Sequence, residues 1–184
     1  MSDRQILTAL TFASNCKASV FDRVFQYKII TNILPTNDYL KRYRIKDDDT
    51  CENCHKECDT IIHRLYDCEL IGLHIEKILN FLKLECNKMY DISMIEFLFG
   101  KSGEQFLALN HVVLELKKLV FYASKEFLSS EDFPELYYAK IKALIIKEKR
   151  ISLDNDKYET FSNKWNDFIC IYDFRGPDIE MFHS

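Results

Sequence analysis

Four glycines and three prolines in 184 residues are few. A sandwich or barrel needs tight turns at short intervals, so this scarcity speaks against an all-β architecture. Long apolar runs are missing as well. None approaches the roughly 20 residues of a membrane span, and Met1-Ser2-Asp3-Arg4-Gln5 does not open a signal peptide. The expectation is an intracellular protein, cytoplasmic or nuclear, with reduced thiols and no membrane partner. Seven cysteines make an odd count, and the chain is too long to need a disulfide scaffold. Catalytic signatures are missing too. There is no H-E-x-x-H, no glycine-rich phosphate loop and no G-x-S-x-G, so the expectation is a non-enzyme without a small-molecule substrate.

Apolar residues are plentiful. They make up 47% of the chain against 29% charged, which supports a folded core. Their spacing is helical almost throughout. Val20, Phe21, Val24, Phe25, Ile29 and Ile33 predict a helix over about 19–33, stopped by Leu34-Pro35. Thr36 or Asn37 can cap a short helix through Tyr43. Later helices are expected at about 70–84, 92–99 (capped by Asp91), 104–128, 133–151 (Pro134 in its first turn) and from Tyr158 to Phe168. The fold class is therefore mainly α: a helical bundle-like body with a small zinc knuckle in the N-terminal third. A division into 1–70, 71–174 and a flexible tail 175–184 follows.

One local pattern fixes a chemistry. Cys51, Cys54, His63 and Cys68 read C-x2-C-x8-H-x4-C. Three thiolates and an imidazole fill the tetrahedral shell of Zn²⁺ and leave no open position, which marks a structural site. His55 and Cys58 lie in the same loop as competing ligands. Asp59-Thr60 can cap a helix carrying His63. At about 100° per residue, His63 and Cys68 lie about 140° apart around an α-helix, so the helix must end or loosen just before Cys68. Cys86 and Cys170, among apolar neighbours, read as buried thiols. His74, His111 and Trp165 read as core residues.

Net charge is -4, which disfavours a large non-specific DNA binder, but the charge is segregated. Arg23, Lys28, Lys41, Arg42, Arg44 and Lys46 stand against the single acid Asp38, and eight acids follow between Asp47 and Glu69. Tyr39 and Tyr43 interleave with the cations, a combination that suits stacking on bases and pairing with phosphates. Lys28, Tyr39, Lys41, Arg42, Tyr43, Arg44 and Lys46 are therefore candidate contacts for RNA or single-stranded DNA. Arg64 is another, unless it pairs with Asp67. Lys140, Lys142, Lys147, Lys149 and Arg150 form a second cluster on a helix whose other face is apolar.

These residues resemble the zinc-binding region that follows the reverse transcriptase in non-LTR (LINE-type) retrotransposon proteins. The likeness rests on Phe25 to Thr36 with its Leu34-Pro35-Thr36 stop, on Cys51, Cys54, His63 and Cys68 at the ligand positions, and on a helical tail through Lys164-Trp165. It implies a non-catalytic accessory to reverse transcription that holds RNA or single-stranded DNA. The alternative is a module that docks on the polymerase body.

Overall fold

In the computed structural model, residues 11, 18–87, 89–123, 132–169 and 171 are described. Seven helices and three short turns of other helical types order this set. They are α1 Val20–Ile30, α2 Asn37–Arg42, a π-helical turn His63–Asp67, α3 Glu69–Glu85, α4 Met94–Phe99, a 3₁₀ turn Glu104–Phe106, α5 Leu107–Tyr122, α6 Phe133–Asp154, α7 Tyr158–Trp165 and a 3₁₀ turn Asn166–Phe168. The described residues contain no strand beyond one antiparallel bridge between Thr50 and Cys58. No helix among them is long and apolar enough to cross a membrane. The mainly helical expectation holds.

Caps explain most boundaries. Ser19 and Asp22 close a reciprocal capping box on α1, and Ser93 with Glu96 does the same for α4. The latter corrects the Asp91 expectation. Asp91 lies outside the helix, and Ser93 satisfies the first free amides. Thr36 caps α2 as expected. Helix α1 ends earlier than its periodicity suggests, because Asn32 turns into the left-handed region at φ 57°. Leu34, just before Pro35, is then buried. Gly100, with φ 90°, ends α4 where a side chain would be strained. Helix α7 starts at Tyr158 with Lys157 at its N-cap and no side-chain cap, and Asp156 just ahead of it takes a left-handed turn at φ 55°.

Helix α5 is the central strut. Ten of its residues are buried, on all sides, and it packs against α1, α6, α7 and the π turn. Trp165 and Tyr137 fill the space around it. The Tyr137 hydroxyl donates to the Val112 carbonyl at 2.9 Å, and the Trp165 indole donates to Glu148 at 2.7 Å. Lys117 is wholly buried and donates to Gln26 Oε1 and the Leu98 carbonyl, which ties α5 to α1 and α4. His74 and His111 are buried, as their apolar helix faces suggest. Cys86 departs from the buried-thiol expectation. It is half-buried and disulfide-bonded, which departs from the expectation of reduced thiols as well. Cys170 and the proposed tail 175–184 lie outside the described residues.

Candidate metal centre

The donor set is assembled by three local devices. In the first, the chain folds back on itself between Asp49 and Asp59. Cys51 N–H donates to Glu57 O, His55 N–H to Cys51 O and Asp59 N–H to Asp49 O. His55 takes a left-handed conformation at φ 56° to let the loop return. The backbone amides of Asn53 and Cys54 thereby point at Cys51 Sγ, and those of Lys56 and Glu57 at Cys54 Sγ.

Thr60 supplies the second device. Its hydroxyl accepts the His63 amide at 3.1 Å and starts a helical turn at Ile61. The third is a change of helix type. From His63 to Asp67 the turn widens to π geometry, closed by Cys68 N–H to His63 O at 2.9 Å. A five-residue hydrogen-bonded closure returns Cys68 towards the azimuth of His63, which an α-helix would not do. This is the loosening that the spacing of the two donors requires. Cys68 is then extended (ψ 127°) and precedes α3, where the amides of Leu70 and Ile71 point at its sulfur.

Cys51, Cys54, His63 and Cys68 consequently offer donor atoms that all lie within 4.8 Å of one another. Zn–S bonds of about 2.3 Å and a Zn–N bond of about 2.0 Å give tetrahedral edges of roughly 3.5–3.8 Å. Cys54 Sγ and His63 Nε2, 3.3 Å apart, nearly match such an edge already. Cys51, His63 and Cys68 are buried and Cys54 is half-buried; none of the three cysteines is in a disulfide. Cys58 and His55 are exposed and stay outside the cluster. Among the described residues, the group in this loop that could hold a metal ion is therefore Cys51, Cys54, His63 and Cys68.

Electrostatics divides the three thiols. Burial pushes Cys51 and Cys68 up, against the backbone amides that favour their thiolates. Burial acts on Cys54 too, but the amides of Lys56 and Glu57 and the His63 ring outweigh it and bring this thiol down to about 7. His63 turns Nε2 to the cluster. Its Nδ1 lies 3.2 Å from Glu57 Oε2, within ion-pair distance although the angle does not make a hydrogen bond. A carboxylate behind a ligating imidazole is the usual orienting partner at metal sites.

Asp59, which the sequence suggested only as a helix cap beside Thr60, instead locks this knuckle to the lead-in. It is wholly buried. Its carboxylate accepts from Arg64 Nε at 2.6 Å, from Arg64 Nη2, and from the Asn37 amide at 2.8 Å. The Asn37 side chain in turn donates to Thr50 O. An acid just ahead of a ligand-bearing turn, followed five residues later by an arginine, was the available signal. Arg64 is therefore corrected as a nucleic-acid contact. Its guanidinium is held inside by Asp59, not by Asp67, and its pKa is raised; burial opposes that rise and the Asp59 carboxylate outweighs it.

The basic lead-in is brought to the acidic loop, not away from it. Lys41 pairs with Asp49, Arg42 with Asp38, and Lys46 with Glu52 and Asn37. The Tyr39 and Tyr43 rings meet at a tilt of 40° with centroids 4.6 Å apart, and the Arg42 guanidinium lies 5.9 Å over Tyr39. Arg44 is exposed with φ 57°, and Lys28 is half-buried on α1. The tyrosines and Arg42 thus share one edge, whereas Lys28 stands on a separate helix.

A second group, Asp22, His111 and Glu115, also brings donor atoms within 4.8 Å. The Lys118 ammonium already bridges Asp22 and Glu115 at 2.5 and 2.6 Å. That cluster is balanced by a cation from within the fold.

Comparison with family models, curated proteins and solved structures finds no match.

Proposed function

We propose that the chain is a non-catalytic binding module whose fold is stapled by one structural Zn²⁺ at Cys51, Cys54, His63 and Cys68. The observation that carries this reading is the convergence of four mostly buried donors of a soft S₃N set, which suits zinc and leaves no place for a substrate. Bound there, the ion joins the loop 51–58 to the π turn and hence to α3 and α5. Chelation by EDTA is expected to lower the thermal midpoint by well over ten degrees, since binding free energy at such sites is folding free energy. A midpoint unmoved by EDTA contradicts the staple.

The role of the module follows the LINE-type resemblance: an accessory to a reverse transcriptase that holds RNA or single-stranded DNA. The edge formed by the Tyr39–Tyr43 ring pair with Arg42 and exposed Arg44 supports it. Replacing Lys41, Arg42 and Arg44 with Ala is expected to weaken binding of a labelled single strand and flatten its salt dependence. Unchanged affinity and slope oppose this contact surface.

A second reading, docking on a protein such as the polymerase body, has its own observation. Val20, Phe21, Val24 and Tyr27 are 62, 86, 47 and 54% exposed and line the outer face of α1, opposite buried Phe25 and Ile29. The inner face of this helix packs on the core, and its outer face, apolar as well, stays exposed among the described residues. If docking is the main role, Phe21→Glu abolishes association with the polymerase body and leaves strand binding unchanged.

A further inference from the structure

Glu57 attends to three of the four donor residues at once. Its carbonyl accepts from the Cys51 amide at 2.8 Å, its own amide points at Cys54 Sγ, and its carboxylate lies 3.2 Å from His63 Nδ1. The first two contacts belong to the backbone and the third to the side chain. His63 needs that third contact. An imidazole that offers its Nε2 lone pair to a metal carries its proton on Nδ1. Here Nδ1 is buried, and among the described residues no hydrogen bond reaches it. A buried N–H without an acceptor is costly, so the metal-ready tautomer is disfavoured unless an acceptor is supplied. The other tautomer, with its proton on Nε2, aims that proton at Cys54 Sγ, 3.3 Å away, and cannot take a metal.

Resting on the zinc reading above, we propose that Glu57 is a positioning residue of the metal centre. Its carboxylate accepts the Nδ1 proton of His63 and holds the ring in the tautomer and orientation that present Nε2 to the ion. The side chain has room to do so. It is 70% exposed, and the neighbouring Lys56 turns to Glu69. A rotation of this exposed carboxylate, already at hydrogen-bond distance, brings an oxygen onto the line of the Nδ1–H. The nearby acids Asp49, Glu52 and Asp59 are engaged by Lys41, Lys46 and Arg64. Such outer partners of a ligating imidazole fix its tautomer and raise its basicity, and their loss weakens metal binding.

The test compares the whole chain with Glu57→Ala and Glu57→Gln. Both variants keep the backbone contacts of residue 57, and an exposed side chain leaves no cavity when it is shortened. Zinc affinity is measured by competition with a chelator of known affinity. The ring nitrogens are read by two-bond ¹H–¹⁵N NMR of the zinc-loaded, ¹⁵N-labelled protein. Glu57→Ala is expected to bind zinc about 10–100-fold more weakly, and its His63 Nδ1 proton to exchange with water too fast to be seen. Glu57→Gln, whose amide oxygen also accepts, is expected to keep most of the affinity and the Nδ1 signal. A loss caused only by a disturbed loop leaves the Nδ1 proton protected in Glu57→Ala, and that result overturns the inference. Equal affinity of Glu57→Ala and the unaltered chain overturns it too, and leaves the zinc reading standing. So does an Nδ1 proton that exchanges freely in the unaltered zinc-loaded protein, a result that needs no variant to fold. No zinc bound by the unaltered protein overturns both.

Discussion

Asp59 shows how much one side chain organises. Its carboxylate is removed from water and answered by a two-pronged guanidinium and a backbone amide, which joins α2, the knuckle and the π turn. Removing one partner of a buried pair leaves the other charge unanswered, at a cost of about 3–5 kcal/mol. Arg64→Ala is therefore expected to lower the urea unfolding free energy by about that amount, and a loss under about 1 kcal/mol contradicts the pairing. Glu148 makes a pH prediction. Burial opposes its ionisation, but His111, Lys164 and Trp165 outweigh that and hold its carboxyl down to about 2. A folded-state pKa below the unfolded one contributes stability at pH above about 4.5, lost as pH falls towards about 2. Between about pH 5 and pH 2.5 the unaltered protein is expected to lose more unfolding free energy than Glu148→Gln. Parallel losses contradict the assignment.

At the scale of elements, the periodic signal located every described α-helix, and local hydrogen bonding set where each begins and ends. The approach of His63 and Cys68 was legible because two ligands five residues apart cannot share an α-helical face; the π turn is the solution the backbone takes. The cap of α4 was misread because Asp91 and Ser93 are both good caps, and only the reach of Glu96 back to Ser93 selects the latter. Ser93→Ala is expected to cost about 1 kcal/mol in urea unfolding. No change there contradicts the capping box. What sequence could not show was which cations meet which acids. The lead-in and the acidic loop read as two separate patches, and the return of the chain at Asp59 folds one onto the other.

Across the whole molecule, α5 is the axis on which the pieces meet. The π turn packs directly against it, so the four donors sit where the knuckle joins the helical body. A metal bound there, as proposed, would brace the loop 51–58 against the π turn. The outward surfaces differ in character: an apolar face on α1 and a tyrosine edge on α2. Native mass spectrometry of the purified protein tests that brace most directly. One zinc ion per chain is expected, absent in Cys51→Ser and in His63→Ala; a folded chain that carries no metal contradicts the account.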